Sequence, residues 1–201
     1  MKKKASPVLA GLVLLVAAAV ALLSGPLLDR AFAPWAFAQG GRPPLTGSWV
    51  GRLTTATGQS RGILLTLILP EPGGRSGLRR SWRTSPYGTL GGTASVCDER
   101  GEVQAYTVDG RPGDREASQI TFHAAPSEAP PPDGLTLSWV NGAWDGADRL
   151  DLAAQLFWSQ NGAAISGASY PDTQAEAPLP MARGGEAEFR ALCEQVRSGG
   201  E

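Results

Sequence analysis

Lysine is missing from this chain beyond Lys4, histidine occurs once, at His123, and cysteine twice, at Cys97 and Cys193. The lack of lysine excludes a Schiff-base nucleophile and a lysine general base from everything after the N-terminus. A serine nucleophile would have to take His123 as its base, with an acid partner behind it. Carboxylates are plentiful, but nothing in their spacing selects a pair for hydrolytic chemistry. Asp145, Asp148 and Asp151, with Asn141, crowd one stretch without forming the Asp-x-Asp-x-Asp-Gly pattern of a calcium loop, and such residues are ordinary in turns. The sequence therefore assigns no catalytic residue, no metal site and no cofactor. It points to a non-enzymatic protein.

Long apolar runs are scarce as well. The one present covers roughly residues 8–23, after Lys2, Lys3 and Lys4 and before a more polar stretch, 24–30. Charged, then apolar, then cleavable is the order of a secretory signal. Two Ala-x-Ala sites follow, at 31–33 and 36–38. Pro34 directly after the first disfavours cutting there, so cleavage is expected between Ala38 and Gln39 and the signal peptide spans 1–38. The alternative is an uncleaved N-terminal helix that anchors the chain, since the run approaches the length of a span. No cysteine near the site offers a lipid attachment point. Removing the leader takes away Lys2, Lys3, Lys4 and Arg30 with Asp29, and leaves 14 basic against 18 acidic residues, a net charge of −4. A mildly acidic domain argues against nucleic-acid binding. The expected location is secreted, periplasmic or cell-envelope, with no membrane span in the mature chain. In an exported chain two cysteines suggest a single bridge, Cys97 to Cys193.

Residues 39–45 read as a linker and 46–198 as one domain, large enough to bury a core. Trp49, Gly51, Leu53 and Thr55 alternate with Ser48, Val50, Arg52 and Thr54, the period of a half-buried strand. Further strands are expected at 62–69, 90–97, 103–108, 117–124, 135–140, 150–158 and 163–170, with 78–87 as an edge strand or extended loop. Asn161-Gly162 is a hairpin signal. The proline-bearing stretch 171–185 is expected to be loop. A loose echo of Gly47-Ser48-Trp49, at Gly142-Ala143-Trp144, is placed in a polar turn. Phe189, Leu192, Cys193 and Val196 fall on one helical face, with Glu186 and Glu188 at the positive end and Arg197 at the negative end of the macrodipole. The expected fold is all-β: an antiparallel meander of eight to nine strands closed or nearly closed into a barrel, with one C-terminal helix packed outside. If Val96 points inward, Cys97 points outward, toward that helix.

Gly47-Ser48-Trp49 resembles the Gly-x-Trp motif that opens the first strand of lipocalins and their calycin relatives, and Leu45-Thr46-Gly47-Ser48-Trp49 also resembles the first strand of avidin-type barrels. The resemblance implies that the tryptophan closes one end of the barrel and that the open end binds a small hydrophobic ligand. Trp49, Trp139 and Trp158 fall on inward sets and are the expected lining for a small apolar ligand. A second candidate surface is Arg79, Arg80, Trp82 and Arg83, with Arg75 and Tyr87 nearby. Guanidinium groups bind anions bidentately and stack on aromatic rings, which suits an envelope glycan or protein partner. The protein is expected to act as a monomer.

Overall fold

The computed structural model describes residues 30–31, 33–38, 40–69, 88–128, 133–161, 163–166, 170–173 and 175–199. Nine strands are present: β1 (Gly47–Thr54), β2 (Ser60–Ile68), β3 (Leu90–Cys97), β4 (Val103–Pro112), β5 (Ile120–Pro126), β6 (Asp133–Trp144), β7 (Arg149–Gln160), β8 (Ala163–Ile165) and β9 (Ala177–Arg183). One helix, α1 (Glu186–Ser198), follows. Each strand from β1 to β7 pairs antiparallel with the next, and β9 inserts between β7 and β1. The pairing of β6 with β7 closes the ring, so eight strands form the barrel and the short β8 lies outside it. Closure removes the free edges that an open meander would present.

The closing strand is not the one the sequence suggested. Of the expected strand 163–170, Ala163–Ile165 form the short β8 outside the barrel, and the closing strand β9 arises from the stretch expected to be loop. Pro178 and Pro180 are what hid it, since proline cannot donate to a ladder. In β9 both prolines face outward, while Ala177, Leu179 and Met181 are buried. The ladder to β1 runs only from Trp49↔Arg183 to Gly51↔Met181, so the prolines lie just past its end. A Cβ at Gly51 would sit 2.5 Å from the Pro180 carbonyl oxygen. Glycine there lets the seam close. Two other boundaries shift. β4 continues past its expected end at 108 to Pro112, and the turn before β5 spans 113–119, where Asp114 accepts hydrogen bonds from Glu116 and Ser118. The echo stretch Gly142-Ala143-Trp144 is the end of β6, not a turn, and Trp144 is buried.

The interior is filled by the inward residues of all eight strands, among them Trp49, Leu67, Tyr106, Phe122, Leu150 and Met181. An apolar space between Leu65, Phe122, Leu137 and Met181 has a volume of about 10 Å³. That is about one water-sized probe.

Helix α1 lies on the outer face of β1 and β2, as its stripe required. Phe189 packs with Leu64 and Cys97 beneath it, beside Val50 and Cys193. Cys97 and Cys193 are bridged across a sequence separation of 96. Gly62 makes room for the docking: a Cβ there would lie 2.7 Å from the Cys97 sulfur and 3.2 Å from Leu192 Cγ. Glu188 turns back to accept the Gly185 N–H at 2.8 Å, which satisfies one orphan donor at the helix start and holds the Glu188 carboxyl below its usual range. Among the described residues no helix is long and apolar enough to cross a membrane.

A bridge closing a loop of this length should stabilise the fold by about 4–5 kcal/mol in the chain-entropy model. Urea denaturation of the oxidised and reduced protein should therefore show a large drop in midpoint on reduction. Equal midpoints would mean that the helix docks through its apolar stripe alone.

Candidate functional site

The barrel has two ends of different character. At one, the Trp49 indole is fully buried and donates from Nε1 to the Leu45 carbonyl at 2.9 Å. Arg183 lies over its ring, Cζ 3.8 Å from the centroid. The same guanidinium donates to the Thr46 carbonyl at 2.9 Å and to the Pro44 carbonyl. Asp148 stands 3.8 Å from its Nε. Burial lowers the Arg183 pKa, and Asp148 and then Asp145 oppose that shift; a guanidinium stays charged regardless. Gly47 is explained by this cap. Its φ is +119°, and a Cβ would lie 2.9 Å from Arg183 Nη1. Trp144 joins the same end, donating to the Ala147 carbonyl at 3.0 Å.

The N-terminal segment completes this closure. A 3-10 turn, Pro34–Ala36, places Trp35 in the core, where it is 2% exposed. Leu45 N–H donates to the Trp35 carbonyl at 2.6 Å, and the Thr46 hydroxyl to Ala36 at 3.3 Å. Residues assigned to the leader from sequence thus pack against the barrel.

At the other end the lumen is polar. Arg61 shares the inward face of β2 with the buried Ile63, Leu65 and Leu67. Its Nη1 donates to the Leu135 carbonyl of β6 at 3.1 Å. β2 and β6 are four steps apart around the ring in either direction, so this side chain spans the mouth. Arg61 Nε is buried with no hydrogen-bond partner, as is Arg183 Nε at the closed end, where Asp148 stands nearby. Among the described residues no carboxylate pairs with Arg61. Tyr106, on β4, donates to Gln104 at 2.6 Å and accepts the Leu137 N–H at 3.3 Å. Burial raises its pKa, the Leu137 N–H and the nearby Arg61 charge pulling the other way. Trp158 is half-buried against the core and stacks on Tyr170, centroids 5.5 Å apart. Asp172 ties the adjoining loop to the β1–β2 turn by accepting from Thr57 N–H and Oγ1 at 2.8 and 2.7 Å.

The expected site residues separate. Trp49 belongs to the closed end and Trp158 to the mouth. Trp139 does not line the lumen: it is 44% exposed. A bulge between Leu137 and Trp139 inserts one residue into β6, so the side chains after it change face and Val140 points inward instead. Strict alternation had carried Leu135 and Leu137 on to Trp139. The pairing of β5 with β6 begins only at His123↔Trp139, which leaves the Leu137 N–H for Tyr106. Arg79, Arg80, Trp82 and Arg83, like Arg75 and Tyr87, lie outside the described residues. His123 is on the outer wall, 3.7 Å from Asp109. The turn carboxylates are engaged locally: Asp145 accepts from Ala147 and Arg149, and Asp151 pairs with Arg149 at 2.7 Å. Two features escaped the sequence reading. Arg61 gave no signal beyond being a charged residue in phase with an apolar set. Gly58-Gln59-Ser60-Arg61-Gly62 has the Gly-x-Ser-x-Gly spacing of a nucleophile elbow. Here, though, Ser60 opens a strand after a hairpin turn, its N–H donates to Glu99, and His123 is three strands away.

No family model matches the chain, and no curated protein matches it. Among solved structures it is similar to EF1p2_mFAP2b bound to DFHBI, with 14% identity and a TM-score of 0.44, over 70% of this chain and 94% of that one. A likeness of that size bears on neither ligand nor activity.

Two outcomes follow from the ends of the barrel. A chain beginning at Gln39 should melt well below one beginning at Ala33, because loss of a buried tryptophan costs about 3–5 kcal/mol; matched melting curves in calorimetry would show Trp35 to be dispensable. Tyr106 should ionise above the ordinary tyrosine value of 10.0 in an ultraviolet titration compared with that of Tyr106→Phe. Its folded pKa is raised, so its contribution to stability is complete below the unfolded value and is lost as pH rises through the folded one.

Proposed function

We propose that this protein is an exported, lipocalin-like binding barrel, not an enzyme, and that it takes a small ligand with an anionic head at the mouth opposite Trp49. The observation that carries this reading is the Arg61 guanidinium: aimed into the mouth, with a buried Nε lacking a partner and, among the described residues, no acid paired to it. A buried donor without a partner is unfavourable by ~1–3 kcal/mol or more, and a carboxylate would satisfy it in the bidentate manner that arginine favours. Tyr106 stands beside it as a second polar contact, and Trp158 with Tyr170 offers an aromatic wall for a short apolar body. The filled lumen argues for a ligand held at the mouth instead of swallowed whole. The leader-like N-terminus and the disulfide suit an oxidising compartment. A sole histidine on the outer wall, no free cysteine among the described residues and no lysine after Lys4 all favour binding over covalent catalysis.

Titration calorimetry and amide chemical shifts with decanoate and decanol test the reading. Decanoate should bind, decanol at least about tenfold more weakly, and the shifted amides should cluster at β2, β4 and β7 near the mouth. Arg61→Met should remove the preference while the melting curve confirms that the barrel still forms. Equal binding of decanoate by Arg61→Met, or shifts confined to the outer wall, would sink it.

A further inference from the structure

The bulge that turns Trp139 outward places it in a row. Asp109 on β4 is in register with His123 on β5, His123 with Trp139 on β6, and Trp139 with Gln155 on β7. All four side chains point away from the lumen. The row therefore reads carboxylate, imidazole, indole, amide across four adjacent strands, and it contains the only histidine in the sequence. The imidazole and indole rings lie 4.8 Å apart, tilted by 59°. His123 Nδ1 is also 3.7 Å from Asp109 Oδ1, so the imidazole lies between the carboxylate and the indole. One step along the strands, Arg111, Thr121, Asn141 and Ala153 form a parallel row.

Among the described residues the other exposed large apolar side chains are Ile68, at the end of β2, and Val103, at the start of β4. A protein hot spot or a lipid surface needs contiguous apolar area around the aromatic anchor, and the described residues place none around Trp139. Its neighbours in the row are hydrogen-bonding groups: Asp109 is 85% exposed, His123 42%, and Gln155 is exposed. A flat aromatic face ringed by donors and acceptors matches a pyranose ring, which has an apolar C–H face and hydroxyls around its rim. Four strands at ~4.8 Å spacing give a row of about 14 Å, room for a short oligosaccharide lying across the strands.

We propose that this outer face is a carbohydrate-binding site, with a sugar ring stacked on Trp139 and its hydroxyls met by Asp109, His123 and Gln155. The site is independent of the mouth at Arg61, on a different face of the barrel wall, and neither reading needs the other.

The test is to titrate the full chain with cellotriose, chitotriose and maltotriose, following tryptophan fluorescence and the indole N–H resonance of Trp139, assigned with Trp139→Phe. At least one trisaccharide should move that resonance saturably. Trp139→Ala should weaken binding by about tenfold or more, Trp139→Phe by less, and Gln155→Ala severalfold, with melting curves confirming that each variant keeps the folded barrel. Arg61→Met should leave sugar binding intact. No response of Trp139 to any of the three sugars would overturn the proposal, as would undiminished binding by Trp139→Ala. So would a Trp139 resonance that moves with protein concentration in the absence of sugar, which would mark a surface for a second copy of this chain.

Discussion

The guanidinium of Arg183 resting on the Trp49 indole fastens three parts of the chain at once. Trp49 belongs to the first strand, Arg183 to the last, and the carbonyls of Pro44 and Thr46 that accept from Arg183 belong to the segment leading in. The ladder between β1 and β9 is only three residues long on either side, so side-chain contact must supplement the backbone at this seam. Cation–π contacts are worth more when water is excluded, and Trp49 is fully buried. Gly47 and Gly51 are where the backbone yields to allow it, one to the arginine and one to the facing strand.

The same residue type serves both ends of the barrel to opposite effect. Arg183 is held by a ring, two carbonyls and a nearby carboxylate, though its Nε, like that of Arg61, is buried without a hydrogen-bond partner, and its end is sealed further by Trp35, Leu45 and Trp144. Arg61 reaches across the lumen to a single carbonyl and keeps a buried donor unspent. The apolar layers between them are packed, as protein interiors ordinarily are. The barrel is thus a plugged cylinder with a finished floor and an unfinished lip. Contact with small molecules is accordingly expected at the lip or on the outer wall, and not in a deep cavity.

Much of the architecture was legible because period-two alternation is a backbone property. It located seven of the eight barrel strands, the helix and the cysteine pair, which the outward phase of Cys97 and the helical phase of Cys193 brought together. It failed where a local event resets the phase. The extra residue in β6 reversed Trp139, and nothing in Leu137-Ser138-Trp139 announces a bulge. It failed at β9 because Pro178 and Pro180 carry the signal of a loop, and only the short ladder beside them shows why a strand tolerates both. The candidate sites were less legible than the fold. Arg61 and the row from Asp109 to Gln155 are assembled by register between strands, and register is fixed by the whole closed sheet.

The position of β9 sets the order in which this chain can become itself. Residues 49–51 wait for residues 181–183, and Cys97 waits for Cys193. A chain made N-terminus first can zip β1 through β7 as a ribbon of neighbours, but that ribbon keeps two open edges until β9, Ala177–Arg183, arrives. Pairing so distant in sequence is slow, and for that interval the exposed edges of β1 and β7 are available to any other extended chain. The outward prolines of β9 therefore have a second value. A strand that carries them is a poor template for foreign strands, so the segment that closes the barrel is also one that resists being captured before it does.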